Sequence, residues 1–183
     1  MDSELTAHGY RDAGLLGNRL SSVEFNAVYA SPSRRTIQTA EAIVSKRPWN
    51  IVRHDDLREI RMGEWEGRTH AEVKQDYPEQ YHAFWNTPHL YKPAGGGETF
   101  PELQRRVVSA INQIVSETDR GNVLVVSHIV AIKATIAYVK KVPLERFWEP
   151  PAIHGASLSV IEISDGCANV VCEGDISHLT PKL

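Results

Sequence analysis

Gly121-Asn122-Val123-Leu124-Val125-Val126-Ser127-His128 decides the architecture of this chain. Four consecutive apolar residues after a Gly-Asn turn signal read as a short strand covered on both faces, because a half-exposed strand would alternate apolar with polar residues. The polar pair Ser127-His128 ends it, and a helix is expected from about Val130 to Lys141. The same strand-then-helix order occurs earlier. Phe25 to Ala30 predicts a short buried strand, and a helix follows through Thr36, Ala40 and Val44. Gly9 to Leu20 reads as a helix before them, and Thr69 to Trp85 as a helix-rich stretch after them.

Working outward, Leu103, Val107, Ala110, Ile111 and Ile114 fall on one face of a long amphipathic helix. Its start is signalled twice: Thr99 and Glu102 have capping-box spacing, and Pro101 is tolerated in a first turn, where its missing N–H has no intrahelical partner. The end of the chain reads as a hairpin, with strands near Ser157–Ile163 and Ala168–Cys172 around the tight-turn dipeptide Asp165-Gly166. This alternation predicts a three-layer α/β/α sandwich with a mostly parallel sheet, and chemistry beyond the carboxyl ends of its strands.

Composition fits that expectation. The 183 residues amount to about one domain, and a chain of this size buries about two-thirds of its extended surface without disulfide or metal staples. A net charge of −3, with basic residues scattered, gives no footprint for a polyphosphate backbone, so nucleic acid is not an expected partner. The acidic, polar Met1-Asp2-Ser3-Glu4 and the interruption of the most apolar stretch by Lys133 argue against a signal peptide or a membrane span. Cys167 and Cys172 have an odd separation that points them to opposite faces of a strand, and free thiols in a reducing cytoplasm are expected. No helical His pair at i and i+4 and no Cys-x-x-Cys occurs, so no metal and no cofactor is predicted.

Three polar constellations stand near the expected strand ends. In Tyr29-Ala30-Ser31-Pro32-Ser33-Arg34-Arg35-Thr36, two arginines open a helix. Cations there oppose the helix dipole, whereas an anion held by guanidinium and free N–H groups would suit it. Surface arginines beside a capping serine read as well when the stretch is taken alone. Arg58-Glu59-Ile60-Arg61-Met62-Gly63-Glu64-Trp65-Glu66-Gly67 sets three glutamates around two glycines and a tryptophan. One carboxyl against an apolar wall would rise toward a general acid's range, although solvated loop glutamates are the commoner outcome. His128, directly at the end of the buried strand, can donate to an anion or move a proton, or be a hydrogen-bonded structural histidine. Gly95-Gly96-Gly97 lacks the Lys-Ser or Lys-Thr of a P-loop and reads as a flexible approach to the capped helix.

In order and context these segments resemble the histidine phosphatase superfamily, the phosphoglycerate-mutase-like fold. The resemblance is carried by Leu5-Thr6-Ala7-His8-Gly9, Arg35-Thr36-Ile37-Gln38-Thr39-Ala40-Glu41, Arg58-Glu59-Ile60 with Gly63-Glu64-Trp65-Glu66-Gly67, Gly96-Gly97-Glu98-Thr99 and Val126-Ser127-His128. The small size and Gly63-Glu64-Trp65-Glu66-Gly67 look more like the broad phosphomonoesterase and α-ribazole phosphatase branches than the longer glycolytic mutases. The resemblance implies a small phosphorylated substrate, phosphoryl oxygens held by Arg35 and His128, and Glu59 protonating the leaving alcohol. Ser31 and His154 are further candidates for substrate contact, His154 equally for a structural role.

The family's nucleophile is a histidine in an Arg-His-Gly motif at the end of its first strand, and that motif is absent here. His8-Gly9 is a poor substitute, since Ala7 precedes it and no buried strand lies upstream. The expectation is therefore a single histidine-phosphatase-like domain over residues 1–183 that lacks the family's first strand, most simply because the sequence is incomplete, and that is inactive or impaired as it stands. A noncatalytic protein that kept the phosphate site is the alternative, and a phosphoglycerate mutase a lesser one. Ile129, where relatives often have glycine, is expected to narrow the pocket or change a turn. Tyr77, Tyr81, Phe84, Trp85 and Tyr91 fit either a core stripe or a substrate wall.

Overall fold

Phe25–Ala30 forms the first strand, β1, at the centre of a parallel sheet in the computed structural model, which describes residues 2–45 and 49–179. Ile51–Arg53, β2, pairs with one edge of β1. Asn122–Val126, β3, pairs with the other edge, in a register that sets Ala30 opposite Val126. Sequence pattern missed β2, because three residues of which Val52 and Arg53 are exposed carry no periodicity.

Helices cover both faces, as the alternation predicts. On one, α1 (Ala7–Arg19) and α2 (Arg34–Ile43) pack Ala13, Leu16, Ala40 and Ile43 against Val28, Ala30, Leu124 and Val126. The two helices approach closely at Gly17, where an added Cβ would stand 2.6 Å from the Ile43 carbonyl oxygen. On the other face Tyr29 points the opposite way from Val28 and Ala30, and joins Ala110 and Ile114 of the long helix α5 (Phe100–Ser116). Thr99 and Glu102 form the full capping box of α5. The helix α6 (Ile129–Val139) packs its alanines 131, 134 and 137 with Leu103 and Val107 of α5.

The helix-rich stretch resolves into two elements, α3 (His70–Asp76) and α4 (Pro78–Asn86), divided where Pro78 opens the second. They belong to an excursion whose two ends meet. Glu98 N donates to Arg61 O at 2.8 Å and Glu64 N to Ala94 O at 3.2 Å. Gly63 is required at that junction: its φ is +58°, and a Cβ would fall 2.0 Å from the Ala94 oxygen. The triple glycine is thus part of a close backbone crossing as well as an approach to α5.

The hairpin forms as expected from β4 (Leu158–Ser164) and β5 (Cys167–Asp175), which among the described residues pair antiparallel with each other only. Both cysteines are free, Cys167 exposed and Cys172 half-buried. The strands therefore fall into two sheets, and β3 is an edge of the larger one. Among the described residues no helix is long and apolar enough to cross a membrane.

Candidate active site

The pairing of Ala30 with Val126 sends the chain off the sheet at the same end in both strands, and Ser31 N still donates to Val126 O at 2.9 Å. That shared exit brings Ser31 and His128 together, although they are far apart in sequence. Both are buried, and His128 Nε2 lies 2.8 Å from Ser31 Oγ. On the other side of the ring, Arg35 Nη2 stands 2.9 Å from Nδ1. A guanidinium only donates, so Nδ1 accepts and the proton of the neutral ring sits on Nε2, directed at Ser31. Burial, followed by Arg35, Arg58 and Arg106, lowers the pKa of His128 from 6.5 to about 3. The ring is neutral at physiological pH and offers an N–H donor without a competing charge.

Arg35 comes from the first turn of α2, and among the described residues no carboxylate lies within ion-pair distance of it. The helix start has no side-chain cap from Ser33 itself. Instead Asp2 Oδ1 accepts from Arg34 N at 2.8 Å, so a carboxylate already stands at the positive end of the helix, beside the cleft.

Glu59 sits at the start of α6. Its Oε1 accepts from Ile60 N at 3.0 Å and Ala131 N at 3.1 Å, and its Oε2 from Val130 N at 3.1 Å. Burial nevertheless raises its pKa, against the lowering effect of those three N–H groups and of Arg35. A carboxylate has about four acceptor positions, and three are used. The position left on Oε2 is where a proton can reside. Gly63-Glu64-Trp65-Glu66-Gly67 contributes differently: Trp65 is a buried wall residue and Glu64 accepts from the Tyr77 hydroxyl at 2.7 Å.

The segment bearing Glu59 is strapped from behind. Arg106 Nε and Nη2 donate to the two oxygens of the fully buried Glu98 at 2.8 and 2.7 Å. The same guanidinium reaches the carbonyls of Asp56 at 2.7 Å, Arg58 at 3.1 Å and Glu59 at 3.4 Å. Ser127 Oγ adds a bond to Leu57 O at 2.7 Å. No local pattern points to Arg106, whose contacts are carbonyls 47 to 50 residues away in the chain.

These groups share one cleft of about 510 Å³. Ser31, Arg35, Glu59 and His128 all line it. His154 does not: its side chain is exposed and lies outside the cleft lining. Ile129 is 44% exposed in the first turn of α6 and also outside the cleft lining, so its side chain does not narrow the cleft. His8 is likewise remote, bonded to Arg11 and Asp12 on the surface of α1. Among the described residues no group of three or more His, Cys, Asp or Glu side chains is placed to hold a metal ion.

Comparison with known proteins supplies relatives of the same form. Residues 1–176 match the histidine phosphatase superfamily (branch 1). Phosphoserine phosphatase 1 of Hydrogenobacter thermophilus is 31% identical over 180 residues, 98% of this chain and 84% of that protein. The adenosylcobalamin/alpha-ribazole phosphatase of Escherichia coli is 32% identical over 144 residues, 79% of this chain and 70% of that one. Among solved structures, Bacillus stearothermophilus YhfR superposes with a TM-score of 0.95 at 42% identity, covering 98% of this chain and 88% of its own.

Proposed function

This chain belongs to the histidine phosphatase superfamily, and from that premise we propose that residues 1–183 form one domain whose cleft binds small phosphomonoesters for hydrolysis through a phosphohistidine. The observation that carries this reading is the convergence of Arg35, neutral His128 and a protonatable Glu59 in one cleft. Arg35 and the Nε2–H of His128, turning from Ser31, hold the equatorial oxygens of the phosphoryl group. Glu59 gives its Oε2 proton to the ester oxygen as that bond to phosphorus breaks and a histidine nitrogen forms the new one. Water then breaks the P–N bond with Glu59 taking up its proton, which releases phosphate and restores the histidine.

The attacking histidine is not among Ser31, Arg35, Glu59 and His128, and no Arg-His-Gly occurs in the 183 residues. In this proposal it arrives on a strand outside them, seated beside the edge of β3 that does not pair with β1. The second reading, a phosphate-binding protein without turnover, is favoured by the same missing motif.

Hydrolysis of p-nitrophenyl phosphate by the 183-residue protein, beside a chain extended upstream to an in-frame Arg-His-Gly, separates the two. Turnover by the longer chain alone supports the phosphatase. Phosphate binding by both without turnover by either supports the binding protein, and robust turnover by the shorter chain that His128→Ala abolishes would overturn the assignment of the nucleophile.

A further inference from the structure

We propose that Glu98 and Arg106 are positioning residues for the proton donor: from just before α5 and from its second turn, they hold the backbone of residues 56–61 where the Glu59 carboxyl seats on the Val130 and Ala131 N–H groups. The inference deepens the role given to Glu59 above and rests on it.

A general acid works only where its proton meets the leaving oxygen, and Glu59 has no regular element to stand on. β2 ends at Arg53, a single helical turn covers Asp55–Leu57, and residues 58–62 lie in neither helix nor strand. Carbonyls in such a stretch have no ladder to bond to and must find partners elsewhere.

The partner is one guanidinium, and all five of its N–H donors are engaged: two on the Glu98 carboxylate and three on the carbonyls of Asp56, Arg58 and Glu59. Glu98 takes the other end of the segment. Its Oε2 accepts from Arg61 N at 3.4 Å and its own N donates to Arg61 O at 2.8 Å. Glu59 thus lies between two anchor points that are bonded to each other, one 1% and one 14% exposed at the side chain. The guanidinium charge that lowers the Glu59 pKa is that of Arg35. Arg106 meets the segment at its carbonyls and acts through the backbone.

Amide NMR of the isotope-labelled 183-residue protein from about pH 3 to pH 8 tests this without requiring turnover. An N–H bonded to a carboxyl senses its ionisation, so the Val130 and Ala131 amides are expected to shift with one common midpoint, a response that Glu59→Gln removes. Arg35 and Arg58 keep their charge throughout, and each variant is compared with its own Glu59→Gln partner so that Asp2 and His128 subtract out. Arg106→Met combined with Glu98→Leu removes the pair without stranding a buried charge. It should abolish both responses while inorganic phosphate binds within about twofold of the native affinity. Arg106→Lys keeps Glu98 paired but loses the planar fork, and should cut the responses to about half or less; it decides the matter if the double variant does not fold. Undiminished responses in either folded variant overturn the proposal, as does loss of phosphate binding alongside the responses, which would mean general loosening of the cleft. If the native protein lacks a response that Glu59→Gln removes, the seating of Glu59 and its role as proton donor fall together.

Discussion

His128 is buried with Ser31 Oγ on one side of its ring and the Arg35 guanidinium on the other. Its pKa falls from 6.5 to about 3 on folding, so the unfolded chain takes up a proton first as the pH drops. The contribution of this ring to stability is complete above about pH 6.5 and is lost between there and about pH 3. Glu59, raised by burial, acts in the opposite sense: its contribution is complete below the ordinary carboxyl pKa and fades as the pH rises through its folded value. Subtracting the unfolding free energy of His128→Asn from that of the native sequence isolates the ring. In urea titrations from about pH 4 to pH 8 the difference is expected to climb by at most about 1.4 kcal/mol per pH unit and level off near 6.5, whereas a flat difference would contradict the buried neutral imidazole. Asp2 offers a second test. Asp2→Asn keeps the acceptor for Arg34 N but removes a negative charge from the cleft, and phosphate affinity, read by calorimetry, is expected to improve about two- to fivefold.

Among the elements, the strap from α5 to the Glu59 segment carries the clearest energetic consequence. Arg106→Met would take the bidentate partner from Glu98, 1% exposed, leaving it the Arg61 guanidinium at 3.8 Å and the Arg61 N–H at 3.4 Å, and would free three carbonyls, at a cost of about 3–5 kcal/mol in urea denaturation. Replacing Glu98 as well, by Leu, should recover part of that loss, because burying a paired charge is itself expensive. How far such features could be read in advance follows from their range. The capping box of α5, the strand at Phe25–Ala30 and the Asp165-Gly166 hairpin are set by residues within a few positions of one another. Glu59 and His128 could be singled out by their neighbours in the chain. The Arg106 strap, the Asp2 cap on α2 and the exposed place of His154 depend on which distant backbone comes near, and no local pattern encodes that. The aromatic series illustrates the boundary: its helical spacing is visible in the sequence, but only packing against Trp148 and Phe100 decides that Phe84 is buried while Trp85 stays 38% exposed, both beside the cleft.

At the scale of the molecule, the division of the strands into two sheets is the feature to probe. Among the described residues β3 pairs with β1 on one side only, and an edge strand leaves its outward N–H groups to water. In amide hydrogen exchange the β3 amides that point away from β1 are expected to exchange faster than those bonded to it, and a chain extended upstream to Arg-His-Gly should protect them. Equal protection in both chains would argue against a strand seated there. The excursion from Gly63 to Glu98 has a different implication. Its ends are stitched together at Arg61, Glu64, Ala94 and Glu98, and it supplies Trp65, His70, Tyr81 and Trp85, while Ser31, Arg35, Glu59 and His128 all lie outside it. The proposed phosphate-binding groups and the rings that line the same cleft are thus written in separate stretches of sequence. On the proposed reading, the second could be rewritten by descent or transplanted between scaffolds without touching the first.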